Sequence, residues 1–71
     1  MKVKVTEYVN KGEGFKEVGS VSVSDAEAKN TLEHLRSEGF KRVIGSGIIG
    51  IEMEFKGKDY ISKVTFEKVL S

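Results

Sequence analysis

Apolar and polar residues alternate at the start of the chain, which is the pattern of a half-buried β-strand. Over residues 2–9, one side of the predicted strand carries Val3, Val5 and Val9. Glu7 interrupts this apolar side, so the pattern indicates either a bulge or a frayed strand end. The first element is therefore predicted to be a strand with an irregularity near its middle.

A glycine-containing turn at residues 10–14 separates this strand from a second one. The second strand is predicted from about Phe15 to Val23, with Phe15, Val21 and Val23 on one face. Gly19 lies inside this strand, which indicates a bulge or a close approach of another backbone. The two strands are predicted to form a hairpin.

A helix is predicted directly after the hairpin. Ser24 and Glu27 have the spacing of a capping box, in which each side chain accepts a hydrogen bond from the other residue's backbone amide. The apolar stripe of the helix consists of Ala28, Leu32 and Leu35. Gly39 and Phe40 follow in the positions of a Schellman ending, in which Phe40 contacts Leu35.

The last third of the chain predicts a second hairpin. Lys41 to Ile44 leads into a glycine-containing segment, and from there Ile49, Ile51, Met53 and Phe55 alternate with polar residues. A tight turn at residues 56–58 precedes a final strand from about Tyr60 to Leu70. Its apolar side is formed by Tyr60, Val64, Phe66 and Leu70.

The order hairpin, helix, hairpin predicts the α+β class, with ββαββ order and one four-stranded sheet covered on one face by the helix. If the first and last strands pair in parallel at the centre, the right-handed crossover rule gives a β-grasp topology. In element order alone, the chain resembles the ubiquitin-like and protein-G-like folds.

Length and composition narrow the function classes. The 71 residues, with 38% hydrophobic residues, predict one small domain over residues 1–71. There is no cysteine, so neither a disulfide nor a thiolate site can form. Twelve basic and eleven acidic residues leave a net charge of +1, far from the strong positive field of typical nucleic-acid binders. Since the chain shows no signal-peptide pattern and no membrane-length apolar run, we expect a cytoplasmic protein that has no membrane contact.

Residues 45–50 match the G-x-G-x-x-G pattern of dinucleotide-binding loops. In those loops the glycines precede a helix whose N-terminus binds the pyrophosphate, whereas here a strand pattern follows. We therefore interpret the segment as a turn or bulge and expect no cofactor. The candidate flexible loop, formed by Gly45, Ser46, Gly47 and Gly50, is either a partner-binding tip or a simple connection.

The residues that could support catalysis or metal binding do not form a convincing site. His34 is the only histidine and is expected to be exposed on the helix, where Glu38 offers a single second ligand. Glu52 and Glu54 project from the same sheet face, with Lys63 as a plausible counter-charge. Because paired carboxylates need a cleft for hydrolytic chemistry, we expect a charged surface and no enzyme or metal site.

Two surfaces remain as candidates, and both lie on the sheet face away from the helix. The protein-binding candidate consists of Tyr8, Val18, Ile48, Glu52, Glu54, Ile61 and Lys63. The nucleic-acid-binding alternative consists of Lys2, Lys4, Tyr8, Lys16, Lys56, Lys58 and Lys63. A small core also favours a homodimer, while scattered surface aliphatic residues would need no partner. The leading expectation is a non-enzymatic module, such as a regulator, inhibitor or accessory protein, that occupies the surface of another protein.

Overall fold

A computed structural model describes residues 2–69 and shows one antiparallel sheet and one helix, an α+β arrangement. In chain order the elements are β1 (Lys2–Asn10), β2 (Phe15–Ser24), α1 (Asp25–Ser37), β3 (Lys41–Ile44), β4 (Ile51–Lys56) and β5 (Ile61–Lys68). The strands lie in the order β2-β1-β5-β4-β3. The described part of the chain contains no helix that is long and apolar enough to cross a membrane.

The prediction of a four-stranded sheet with ββαββ order is wrong, because residues 41–44 form an additional edge strand. This segment pairs with β4, where Arg42 lies opposite Met53. Each antiparallel connection reverses the chain direction, so one extra strand also reverses β5 relative to β1. These two strands are therefore antiparallel, with Val5 opposite Phe66, and the parallel pairing required for a β-grasp topology is absent.

The predicted ends of the helix are confirmed in detail. The Glu27 amide donates to Ser24 Oγ at 3.3 Å, and the Ser24 amide donates to Glu27 Oε1 at 3.4 Å. At the other end, Gly39 has a φ of 102° and the Phe40 amide donates to the Leu35 carbonyl at 3.0 Å. The left-handed conformation of Gly39 turns the chain toward β3 without a Cβ penalty.

The β1–β2 hairpin contains the bulge that Gly19 indicated, and the bulge changes which residues share a face. Glu7 pairs with Gly19 but Tyr8 pairs with Glu17, so Val18 is the extra residue of β2. An extra residue shifts the side-chain alternation by one position. Phe15 therefore lies on the opposite face from Val21 and Val23, and the prediction that these three share a face is wrong.

The core lies between α1 and one face of the sheet. Its buried apolar side chains are Val3, Ala28, Leu32, Ile51, Met53, Val64 and Phe66. We call this side of the sheet the helix face and the other side the open face, since the described residues place no second layer there. Alternation along β5 places Val64 and Phe66 on the helix face and Lys63 and Thr65 on the open face.

Candidate interaction surfaces

Strand pairing brings five of the seven predicted protein-binding residues together on the open face. One cross-strand row runs Glu54, Lys63, Tyr8 and Glu17. The row on one side of it runs Glu52, Thr65, Thr6 and Ser20. The row on its other side runs Lys56, Ile61, Asn10 and Phe15. Tyr8, Glu52, Glu54, Ile61 and Lys63 therefore form one continuous patch.

Lys63 is the centre of this patch. Its Nζ lies 4.2 Å from the centroid of the Phe15 ring and 5.0 Å from that of the Tyr8 ring. The same Nζ lies 4.0 Å from Glu52 Oε1. Because only 21% of the Lys63 side chain and 27% of the Glu52 side chain are exposed, these contacts are partly shielded from water. An ammonium over an aromatic face is attracted by the ring quadrupole, so the two rings and the carboxylate together fix the Lys63 side chain.

Phe15 is a member of the patch that the sequence analysis did not assign to it. Simple alternation placed its ring on the helix face with Val21. The Val18 bulge moves it to the open face, where it lies opposite Asn10 and beside Lys63. Gly19 indicated a bulge in β2, but it did not indicate which residue is the extra one. Without that residue, the face on which Phe15 lies cannot be predicted.

The patch also contains two threonines that are buried although no helix covers this face. Thr6 and Thr65 lie opposite each other on β1 and β5. The Thr6 hydroxyl lies 3.2 Å from Ser20 Oγ and forms a hydrogen bond with it. The Thr65 hydroxyl is buried without a hydrogen-bond partner among residues 2–69. Neighbouring side chains therefore exclude water from the middle of the open face.

Two predicted members, Val18 and Ile48, lie away from this patch. Val18 is the bulge residue and lines a shallow recess with Val9 and Lys16, at the tip of the first hairpin. Ile48 is half-buried in the connection between β3 and β4. Neither is part of the cross-strand rows that unite the other five residues.

The glycine loop is anchored to the sheet rather than placed at the N-terminus of a helix. Gly45, Gly47 and Gly50 all have positive φ, from 69° to 82°. The Gly50 amide donates to the Phe66 carbonyl at 2.7 Å, and Ile49 packs against the core. A strand, β4, follows the loop, so the structure supports a turn and lacks the strand–helix context of a dinucleotide site. Ser46 is exposed at the outer part of this connection.

The lysines of the nucleic-acid alternative are divided between different regions. The alternation of the strands places four of them on the open face with Tyr8, namely Lys2, Lys4, Lys56 and Lys63. Lys16 lies opposite Val9 on the other face and forms an exposed ion pair with Glu13 at 3.5 Å. Lys58 belongs to the β4–β5 turn. The lysines of the open face are interleaved with Glu17, Glu52, Glu54 and Glu67, so no continuous basic stripe forms.

The histidine and acidic residues do not gather into a metal site. His34 Nε2 lies 3.3 Å from Glu38 Oε1, and both side chains are more than half exposed. No group of three potential metal ligands occurs within residues 2–69.

Comparisons with protein-family models, curated proteins and solved structures find no significant match to this chain.

Proposed function

We propose that this chain is a non-enzymatic, cytoplasmic protein-interaction module that occupies a surface of a partner protein with its open face. The observation that carries this proposal is the patch around Lys63. It combines aromatic and aliphatic surface from Tyr8, Phe15 and Ile61 with the Lys63–Glu52 pair. Tyrosine and phenylalanine are enriched in protein contacts, and Tyr8 and Phe15 supply two such rings on this face. A regulator, inhibitor or accessory protein would bind in this way.

The contacts of Lys63 favour protein over nucleic acid as the partner. Single-strand binders stack bases on free aromatic faces within a basic groove. Here the ammonium of Lys63 lies over both Tyr8 and Phe15, and carboxylates alternate with the lysines. A base could stack only after Lys63 moved away from the rings. A protein surface can instead pack against the lysine and rings as they stand.

Nucleic-acid binding remains the alternative because Lys2 and Lys4 lie on the open face of β1, on the same side of the strand as Tyr8. Such a site would bind phosphates, and its affinity would fall steeply with salt, because counterion release becomes less favourable as the salt concentration rises. A partner protein packed on the patch around Lys63 would depend much less on salt. Self-association through the same face would give a homodimer and is measured by sedimentation.

The test replaces Ile61 with alanine and Glu52 with lysine in one double variant. We expect capture of the partner protein from extracts of the source cells to be lost, while circular dichroism shows a folded chain. The matched control carries Asn30→Ala and Glu33→Lys on the exposed side of α1, with the same net charge change. Equal capture by the Ile61/Glu52 variant and the wild type would mean that another surface binds the partner.

A second measurement separates the two functions directly. Fluorescence anisotropy is recorded with labelled single- and double-stranded oligonucleotides at about 50 and 200 mM salt, over which phosphate-dependent affinity collapses. We expect no binding at either salt concentration. Strong binding at the lower concentration that disappears at the higher one would establish the nucleic-acid alternative.

A further inference from the structure

The helix face contains a groove where α1 leaves part of the sheet uncovered. Its volume is about 460 Å³, and it lies between the C-terminal half of α1 and strands β1 and β2. Its apolar lining consists of Val5, Val21, Leu35, Phe40 and Val64. A second recess of about 300 Å³ shares Glu7, Glu38 and Phe40 with it and continues toward Phe55 and Tyr60. The two recesses are therefore adjacent, with Glu7, Glu38 and Phe40 at their boundary, and together we call them the groove.

The charge in this groove has a single sign. Glu7 and Glu38 line both recesses, and none of the described residues that line either recess is a lysine or arginine. Glu7 accepts a long hydrogen bond of 3.5 Å from Ser62 Oγ, and Glu38 contacts exposed His34 at 3.3 Å. Each carboxylate keeps further acceptor positions. An apolar groove with two carboxylates is complementary to an apolar ligand that carries a cation.

The groove borders an unpaired strand edge. β2 is the end strand of the described sheet, and its residues Gly19, Ser20 and Val21 line the groove. Residues 18–24 carry no charge and no proline, and Val18 and Val21 are 58% and 56% exposed. Charged side chains, proline, short length and bulges are the usual protections of an edge strand. Residues 19–24 carry no charge and no proline, and they lie beyond the bulge at Val18.

We propose that β2 and this groove bind an extended segment of a partner protein, which adds to the sheet as a sixth strand. Alternate side chains of an added strand face the same side of the sheet, so apolar residues would contact Val21 and Leu35. A lysine or arginine among them would reach Glu7 and Glu38 and form charge-assisted hydrogen bonds. This inference concerns the opposite side of the sheet from the proposed open-face function and does not depend on it.

The charge of the groove favours a basic segment over a second copy of this chain. A second copy that paired through its own β2 would present the uncharged residues 18–24, which supply no cation to Glu7 and Glu38. The one lysine of that strand, Lys16, lies outside residues 18–24, where it forms an exposed ion pair with Glu13. A partner strand whose groove-facing alternate positions carry both apolar residues and a lysine or arginine meets both requirements of the groove.

The probe for the test is the end-blocked hexapeptide Val-Ser-Arg-Ser-Val-Ser, whose valines and arginine share one face of a strand, titrated into the full chain and followed by amide NMR. We expect the largest shift changes at Gly19, Val21, Leu35 and Phe40. The same peptide with glutamate in place of arginine, and the arginine peptide with alternate N-methylated amides, should both fail to bind. The first control removes the charge complementarity, and the second removes the backbone hydrogen bonds.

A charge-matched pair of variants locates the binding site. The double variant Glu7→Gln/Glu38→Gln should weaken the arginine peptide about tenfold, as expected for loss of charge-assisted contacts. Glu54→Gln/Glu67→Gln removes the same charge from the open face and should leave the affinity unchanged. Equal weakening by both pairs, shifts centred on Lys63 and Thr65, or no binding of the arginine peptide would each overturn the proposal. The capture experiment with Ile61→Ala/Glu52→Lys reports on the open face separately.

Discussion

The two faces of the sheet exclude water in different ways. On the helix face, Phe66 is fully buried because α1 and the neighbouring strands cover it with apolar side chains. On the open face, the adjacent Thr65 is only 8% exposed although no helix lies over it. Its cover comes from its neighbours within the sheet. Phe66 is thus buried under the helix layer, whereas the adjacent Thr65 is buried by side chains of the sheet itself.

This difference shows how a single-layer face can be closed to water without being apolar. The aliphatic stem of Lys63 can lie along the sheet while its ammonium contacts Tyr8, Phe15 and Glu52. Burial there is shared among polar and aromatic groups, whereas burial on the helix face depends on a few large apolar residues. Substitutions should therefore have large effects on the helix face and small, coupled effects on the open face.

The largest effect is expected from Phe66→Ala on the helix face. Removing a buried phenylalanine costs about 3–5 kcal/mol through lost burial and the cavity left behind. At about 0.05–0.15 kcal/mol per residue, a chain of this length has little stability beyond that. We expect urea denaturation followed by circular dichroism to show a chain that is largely unfolded or close to its midpoint without denaturant.

The comparison for Phe66→Ala is Tyr8→Ala, which removes an aromatic ring from the open face. We expect this variant to remain folded with a smaller loss of stability, since Tyr8 is only half-buried. Similar losses for the two variants would contradict the distinction between the faces. The open face would then contribute to folding as a second core.

A smaller effect of opposite sign is expected from Thr65→Val on the open face. The Thr65 hydroxyl is buried without a partner among the described residues, and leaving a buried hydroxyl unpaired is unfavourable by about 1–3 kcal/mol. Valine keeps the shape and β-branching of threonine without that group. We expect an increase of about 1 kcal/mol in unfolding free energy, or about 4–8 °C in Tm for a domain of this size.

Thr6→Val is the matched control for that prediction, because Thr6 lies directly opposite on β1 and is also buried. Its hydroxyl has a partner in Ser20, so the same substitution breaks a hydrogen bond of 3.2 Å. We expect no stabilisation from Thr6→Val. If both substitutions stabilise the chain equally, hydrogen bonding does not distinguish the two threonines and the open face simply favours apolar residues.

The parts of the fold that depend on neighbours in sequence could be predicted, and those that depend on distant pairing could not. The Ser24–Glu27 cap and the Gly39 ending each involve contacts over a few residues, so their patterns suffice. Strand β3 has only four residues, and their order of two basic and then two apolar residues shows no alternation. Its assignment depends on pairing with β4, which the local sequence does not encode.

The candidate site shows the same division. Alternation correctly grouped Tyr8 with Lys63 and Glu52 with Glu54, because each strand keeps its period there. It misplaced Phe15, since the bulge at Val18 reverses the alternation of β2. It explained Glu7 on the apolar face by a bulge or fraying, whereas β1 continues to Asn10 and the extra residue of the bulge is on β2. The structure places Glu7 in the groove beside Glu38, on an element distant in sequence.

The smallest predicted effect is the coupling between Lys63 and Phe15, which a double-mutant cycle measures. Lys63→Met keeps much of the side-chain length without the charge, and Phe15→Leu keeps an apolar residue without the ring. A cation–π contact at a partly exposed site contributes about 0.5–1 kcal/mol. We therefore expect the double variant to be more stable than the sum of the single losses implies, by about that amount.

The same cycle with Glu52→Gln in place of Phe15→Leu should give a smaller coupling, because the Lys63–Glu52 distance of 4.0 Å is long and salt weakens the attraction between partly exposed charges. A larger coupling with Glu52 than with Phe15 would identify the ion pair, rather than the aromatic ring, as the contact that holds Lys63 flat on the open face.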